Sequence, residues 1–241
     1  ELYAKNTLEI TQDDIVFSAA KLFFAYGLGN ALTFPLSVGA TTILMADRPT
    51  PESVLERLKA HEPTLFFGVP TLYAGLLENQ DFCSYKPKRL RLSVSAGESL
   101  PPAIGRRWST QTGTDILDGI GSTEMLHIFL SNRPNEIKYG TTGRPVEGYE
   151  IKILDDEEKE VEPGSIGELF VSGPSSALSY WNQRGKSRQT FRGEWTRTGD
   201  KYYLDADGYY VYCGRSDDML KVGGIYVSPT EVENTLVSHE A

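Results

Sequence analysis

The chain has 241 residues, 24 of them Lys or Arg against 33 Asp or Glu, for a net charge of -9. A hydrophobic content of 39% and a charged content of 24% suit a globular protein large enough to bury a core. The acidic balance argues against a nucleic-acid partner, because phosphate backbones reward a basic face, and no apolar run approaches the roughly 20 residues that span a bilayer.

The opening "ELYAKNTLEI" has neither the basic start nor the apolar centre of a signal peptide. Cys83 and Cys213 lie far apart with no metal-like spacing and read as reduced thiols, which points to a cytoplasmic protein. The first residue is not Met, which reads as a piece of a longer protein.

Up to about residue 132, short apolar runs alternate with helix-like segments. "IVFSA" (15–19), "TTILMA" (41–46), "TLFFGV" (64–69), "RLSVSA" (91–96) and "DILDGI" (115–120) read as buried strands. Thr50 is placed to cap a helix that begins at Pro51 and turns Val54, Leu55 and Leu58 to one side. "PTLYAGLLEN" and "PPAIGRRWSTQTG" predict two more helices, the second ending at Gly113. Strands alternating with helices imply an α/β layer with a mostly parallel sheet. The basic run "KPKRLRL" (86–92) reads as a solvated loop.

Beyond residue 140 the period drops to two. "YEIKILD", "GELFVSG" and "YYVYCGR" alternate apolar and polar residues, and "DADG" (205–208) is a hairpin turn. The expectation is a small antiparallel barrel or sandwich over residues 133–213, following the α/β layer of residues 1–132. From residue 214 to 241, "KVGGIYVSPTEVENTL" predicts a Gly-rich loop and a helix near Pro229 whose apolar face, on Val232 and Leu236, has nothing to cover it.

Three clusters carry candidate chemistry. "LDGIGSTEM" (117–125) runs from a strand into a turn holding Ser, Thr and Glu, where a hydroxyl can bond phosphate and a carboxylate can hold Mg²⁺. A plain helix start capped by Ser122 or Thr123 is the alternative. "WTRTGDKYYLDADGYY" places Asp200 in a tight turn, suited to ribose hydroxyls or simply to the turn. "GRSDDMLKVGGIYVSPTEVE" packs cations, carboxylates and paired glycines into one stretch, which a solvated loop would also do. "KYGTTGRPV" (138–146) looks like a phosphate-gripping loop by composition.

The order of these clusters resembles the adenylate-forming enzymes: acyl-CoA synthetases, adenylation domains of peptide synthetases and firefly luciferase. "SAGESLP", "GIGSTE", "GELFVSGP", "SYWN", "RTGD" and "GRSDDMLKVGG" followed by "SPTEVE" match family motifs in sequence order. "KLFFAYGLGN" and "DGIGSTEMLHIFLSN" look most like the benzoate-CoA ligases.

The resemblance implies ATP or AMP, Mg²⁺ and coenzyme A as cofactors and a small carboxylic acid as substrate. The acid, an aromatic one such as benzoate, would be activated as acyl-adenylate and passed to CoA. A domain loading a carrier protein, or a piece that only binds nucleotide, are the alternatives. Ala96, Gly97, Glu98, Asp118, Gly119 and Ile120 would flank the adenine. Thr123 would bond the adenylate phosphate and Glu124 would hold Mg²⁺. Asp200, helped by Arg215, would take the ribose hydroxyls, and Asp217 would be the hinge of a small C-terminal domain. Lys221 and Gly224 would serve thioester formation. Ala25, Tyr26, Gly27, Gly121, His127 and Ile128 would line the acid pocket, although Tyr26 and His127 also read as core residues. His61 and His239 read as solvent-facing, and Trp108, Trp181 and Trp195 as packing residues.

In the family the phosphate loop precedes the segment matching "FFAYGLGN", so "YGTTGRP" corresponds instead to a link into the barrel. That loop and a distal catalytic Lys are absent from this sequence, which implies that the chain alone does not turn over.

Overall fold

The computed structural model describes residues 2–222, 225–227, 232 and 235. The helix expected after Pro229, together with Gly224 and His239, lies outside the described residues, and Lys221 is described only as part of a short strand.

Five parallel strands form the first layer: β1 (Ile15–Ser18), β2 (Thr41–Ile43), β3 (Leu65–Gly68), β4 (Leu92–Ser95) and β5 (Ile116–Gly121), in the order β2-β1-β3-β4-β5. β3 and β4 are buried along their whole length, which is why they appear in the sequence as unbroken apolar runs rather than alternations. Between β1 and β2 the chain winds through α1 (Ala25–Leu28), a π-helical turn (Gly29–Thr33) and α2 (Phe34–Val38). α3 (Pro51–His61), α4 (Pro70–Glu78) with the short α5 (Gln80–Cys83), and α6 (Pro102–Thr112) make the remaining crossovers.

The helix ends follow their residues closely. Thr50 accepts from the Ser53 amide at 3.3 Å while the Ser53 hydroxyl accepts from the Thr50 amide at 3.0 Å, a reciprocal cap ahead of Pro51. Gly113 ends α6 in the left-handed region. The buried faces of these helices close on Trp108, whose ring lies 4.7 Å from Tyr73 and 5.2 Å from Phe82 by centroids. Removing an aromatic side chain from such a cluster typically costs about 3–5 kcal/mol.

The parallel sheet then gains an antiparallel edge, β6 (Ile128–Ser131) against β5 and β7 (Arg144–Pro145) against β6. A second, five-stranded antiparallel sheet follows: β8 (Glu150–Leu154), β9 (Gly167–Ser172), β10 (Phe191–Arg192), β11 (Trp195–Leu204) and β12 (Tyr210–Arg215), with α7 (Arg184–Thr190) preceding β10. The turn of residues 205–208 joins β11 to β12 as the sequence predicts. Met125, Phe129, Leu130, Ile153, Leu169, Val171 and Tyr202 form the core shared between the two sheets, which together make a half-barrel. The α/β layer and the antiparallel part are thus both as expected. A further two-stranded ladder, β13 (Leu220–Val222) with β14 (Ile225–Val227), follows β12.

The loop that resembles a phosphate grip is the joint between the sheets. Its Lys138 ammonium donates to Asp205 and Asp207 at 2.7 and 2.6 Å, across the hairpin turn. The Thr142 amide donates to the Tyr210 carbonyl at 2.8 Å, and the Tyr210 amide returns to Gly143 at 2.9 Å. Gly143 has φ +85°, and a Cβ there would lie 2.1 Å from the Ser131 carbonyl carbon, so only glycine allows the two backbones to meet.

Two expectations need correction. Trp181 packs against nothing large and is 89% exposed, because its loop turns it outward while the neighbouring Tyr180 takes the inward position. Arg91, within the supposed solvated loop, donates to both oxygens of Asp14 at 3.0 Å and to the Leu8 and Glu9 carbonyls, pinning the first strand to the fourth. His61 is exposed, Trp108 is fully buried and Trp195 half-buried under the Lys152 ammonium.

Candidate functional site

A cavity of about 860 Å³ lies where the carboxyl ends of β4 and β5 face the β11–β12 hairpin. The carboxyl end of a parallel sheet is where such folds seat ligands. Its floor comes from the α/β layer: Gly97 and Glu98 after β4, and Asp118, Gly119, Ile120 and Gly121 along the end of β5. Its wall comes from the second sheet: Asp200 on β11, Arg215 on β12 and Asp217 just beyond. Residues from four of the sequence motifs therefore meet in one volume.

The floor is built around a buried carboxyl. Asp118 is 6% exposed, its Oδ2 accepts from the Leu100 amide at 3.4 Å, and its Oδ1 has no protein partner. Burial pushes this carboxyl up to about 8, against the opposing pull of the Leu100 and Gly119 amides. At neutral pH it therefore presents a neutral acid, able to donate one hydrogen bond and accept another.

The wall is charged but internally paired. Arg215 Nη1 donates to Asp200 Oδ1 at 2.9 Å, and Arg197 donates through Nε and Nη2 to both oxygens of Glu168 at 2.5 and 2.7 Å. Burial raises the Asp200 carboxyl above its usual range, more than the Arg215 charge and hydrogen bond lower it. The ladder between β11 and β9 slips between Arg197 and Lys201, and this irregularity sets Asp200 at the cavity edge.

"GSTE" is a turn between β5 and β6, not a helix start. The Met125 amide donates to Ser122 Oγ at 3.3 Å, and the Ala177 amide donates to the Glu124 carbonyl at 2.7 Å. Tyr180 donates its hydroxyl to Glu124 Oε1 at 2.5 Å. Burial alone would raise the Glu124 carboxyl. The Tyr180 and Ser122 hydroxyls and the Lys186 charge outweigh it and hold the carboxyl below its usual range. Glu124 is thus an ionised carboxylate facing the cavity, a fitting ligand for a hard cation. Among the described residues no group of three His, Cys, Asp or Glu converges on one point. A Mg²⁺ ion suits such a site, since it commonly takes one or two carboxylates and fills its shell with water and phosphate oxygens.

The structure does not bring every sequence candidate to this cavity. Ala96 is buried beside it and Thr123 is exposed on the turn, and neither lines it. Of the acid-pocket set, only Gly121 does. Tyr26 lies over the ends of β3 and β4, its hydroxyl 3.2 Å from the Gly68 carbonyl and 3.1 Å from that of Val94. His127 is buried among Tyr3, Tyr26 and Phe34, with Nε2 3.0 Å from Asn30 Oδ1 and 3.3 Å from the Tyr26 carbonyl. Burial pushes its imidazole down to about 3, so it is neutral. His127 and Ile128 back directly onto the floor: a Cβ on Gly121 would lie 2.4 Å from the His127 carbonyl oxygen, and one on Gly119 3.1 Å from Ile128 Cγ2. Ala25 is half-buried, and Gly27 presses on the Lys21 carbonyl.

Sequence reasoning assigned no role to Tyr180, Lys186, Arg197 or Thr198, all of which line the cavity. Tyr180 sits in "SYWN" and Arg197 and Thr198 in "RTGD", so position within those motifs was an available signal. Lys186, one cation in a polar helix, carried none.

The profile of the AMP-binding enzyme family matches residues 2–181. The chain is 61% identical, over its whole length and 46% of the relative's, to a benzoate–CoA ligase of Thauera aromatica. It is 59% identical to the crystal structure of a benzoate CoA ligase from Burkholderia xenovorans LB400, with a TM-score of 0.95 over all of this chain and 48% of that one. The anthranilate CoA ligase AuaEII, solved in complex with anthranoyl-AMP, is 51% identical with a TM-score of 0.95, over all of this chain and 46% of its own. The chain thus spans about half the length of the relatives it matches. With a profile match over most of its residues and a cavity assembled from the ends of β4, β5, β11 and β12, the chain belongs to the AMP-binding enzyme family.

Proposed function

We propose that the chain supplies the nucleotide-binding part of an ATP-dependent acid–CoA ligase acting on benzoate or a related aromatic acid. The observation that carries this reading is the convergence of a neutral acid at Asp118, an ion pair at Asp200–Arg215 and an ionised Glu124 on one cavity. The Thauera aromatica and Burkholderia xenovorans relatives support the choice of acid.

In this reading the adenine lies along Gly97, Glu98 and the end of β5. Asp200 receives the ribose hydroxyls, steadied by Arg215. Thr123 is carried on the same turn as Glu124 and would meet the α-phosphate after a small movement of that turn. Mg²⁺ on Glu124 would neutralise phosphate charge. A carboxylate oxygen of the acid bonds to the α-phosphorus, the bond from that phosphorus to the bridging oxygen breaks, and pyrophosphate leaves with the electron pair. The thiolate sulfur of CoA then bonds to the acyl carbon, the bond from that carbon to the phosphate-bearing oxygen breaks, and AMP departs with the electron pair. No protein nucleophile takes part, so the residues act by position and charge. Asp217 is the hinge about which Lys221 and Gly224 approach for the second step. Ala25, Tyr26, Gly27, His127 and Ile128 form the acid pocket behind the Gly119–Gly121 floor.

The test has two arms. A protein carrying this segment at its relatives' length is assayed for benzoyl-CoA from ATP, CoA and benzoate, with acetate and a long-chain fatty acid as competitors. Preference for benzoate in kcat/KM is expected, since even one methylene is worth about 1–3 kcal/mol in an apolar pocket. Better turnover of the fatty acid discards the aromatic reading. Calorimetry on the 241-residue chain is expected to show AMP binding.

A further inference from the structure

Three cations line the cavity, and their partners differ. Arg215 is held by Asp200 and Arg197 by Glu168. Lys186 has no carboxylate within ion-pairing distance among the described residues. It stands on α7 with its ammonium 4.3 Å from the centre of the Tyr180 ring, whose hydroxyl donates to Glu124. A cation over an aromatic face is oriented without being neutralised, because the ring offers only its quadrupole. Lys186 is therefore held at the Glu124 end of the cavity without an ion pair, its charge acting on Glu124 only from a distance. The same cavity is otherwise acidic, with Glu98, Asp118, Glu124, Asp200, Asp217 and Asp218 around it.

A nucleoside triphosphate bound in that setting would bring several negative charges toward Glu124. Arg197 and Arg215 could meet them only by leaving Glu168 and Asp200. Lys186 can do so at no such cost.

We propose that Lys186, steadied on the Tyr180 ring, is the residue of this chain that contacts the β- and γ-phosphates of ATP and then the departing pyrophosphate. The inference rests on the nucleotide reading given above. When the carboxylate oxygen bonds to the α-phosphorus and the bridging bond breaks, the electron pair stays on pyrophosphate. The Lys186 ammonium, lining the same cavity, would meet that added charge. Adenosine monophosphate lacks the β- and γ-phosphates, so Lys186 should matter far less to it.

The difference between ATP and AMP supplies the test. Binding of each to the 241-residue chain is measured by calorimetry in Mg²⁺-containing buffer, for the native protein, Lys186→Met and Lys186→Arg. Methionine keeps an unbranched stem against Tyr180 while removing the charge. The expected result is a three- to fivefold weakening of ATP binding in Lys186→Met, about what one exposed charge contributes. AMP binding should stay within twofold, and Lys186→Arg should restore most of the ATP affinity. A weaker salt dependence of ATP binding in Lys186→Met should accompany the loss. Equal weakening for ATP and AMP would overturn the proposal and make Lys186 a support for Tyr180 and Glu124. No change for either would make it a solvated residue. If the native chain bound neither nucleotide, the nucleotide reading itself would fail, and this inference with it.

Discussion

The floor and the wall of the cavity solve the problem of buried acid in opposite ways. On the floor, Asp118 is left with a buried, unpartnered oxygen and is kept neutral by its surroundings. On the wall, Asp200 is nearly as buried, yet it is given Arg215 as a partner. The difference follows from the two sheets. β5 lies between parallel β4, which sets Ser95 beside Asp118, and antiparallel β6, and neither strand places a cation opposite it. β11 and β12 pair antiparallel, with Asp200 directly across from Arg215 in the register, so the two meet by construction. A neutral, hydrogen-bonding floor suits a heterocyclic base, and a charged, oriented wall suits hydroxyls. The proposed nucleotide carries both parts, a base for the floor and hydroxyls for the wall.

The sharpest way to break this picture lies between them, at Glu124. In a protein of the relatives' length, Glu124→Gln should reduce pyrophosphate exchange with benzoate by about 10²–10³, the usual result of removing one charge-stabilising contact. Folding should be unaffected, because the amide still accepts from Tyr180. Exchange near the native rate would return Glu124 to the role of a turn residue.

Asp200→Ala tests the wall. It should weaken AMP binding about tenfold or more by calorimetry, since the proposed ribose contact would be lost and Arg215 left without its partner. Restoration of binding in the double variant with Arg215→Ala would show that the damage came from the stranded cation and not from the ribose.

Asp118→Asn tests the floor through pH. The folded carboxyl titrates at about 8 against 3.8 for an unperturbed one. Between those values the native form keeps a proton that the unfolded chain has released, so this group's contribution to stability is complete below about pH 4 and is lost as pH rises through 8. The native protein should lose about 5 °C or more in Tm between pH 5 and pH 8, and the asparagine variant, which cannot ionise, less than half of that. Equal slopes would mean that the carboxylate finds a partner on ionising. The smallest effect is expected outside the comparison altogether: Trp181→Ser should shift stability by no more than about 0.5 kcal/mol in urea titration, as for most exposed positions.

Much of this was legible in the sequence, and the boundary of legibility has a physical form. Periodic signals held. The five apolar runs became β1 to β5, Thr50 and Pro51 opened α3, and Gly113 closed α6. Signals tied to a single turn held as well, such as the hairpin of residues 205–208. The winding between β1 and β2 was not foreseen, because "FFAYGLGNALTFPLSV" mixes glycines, aromatics and proline without a clean period, and a π-helical turn has no pattern of its own. Site residues divided similarly. Asp118, Glu124 and Asp200 stood in motifs and met in the cavity, whereas Lys186 enters it only because α7 folds back over Glu124. Tyr26 and His127 had the right motifs, yet their position behind the floor depends on which ring packs where, and composition does not encode that.

The outward turn of Trp181 has a practical consequence. The three tryptophans occupy three different surroundings: Trp108 sealed in the helix layer, Trp195 half-covered beneath a lysine ammonium, and Trp181 almost wholly in water. Their emission should therefore separate by wavelength and by accessibility to a dissolved quencher, with Trp181 contributing the red, readily quenched component. Trp181 is also the immediate neighbour of Tyr180, which lines the cavity. A change in that one component on adding nucleotide would report occupancy of the Glu124 end, while the blue emission of Trp108 reported, independently, that the fold had not changed.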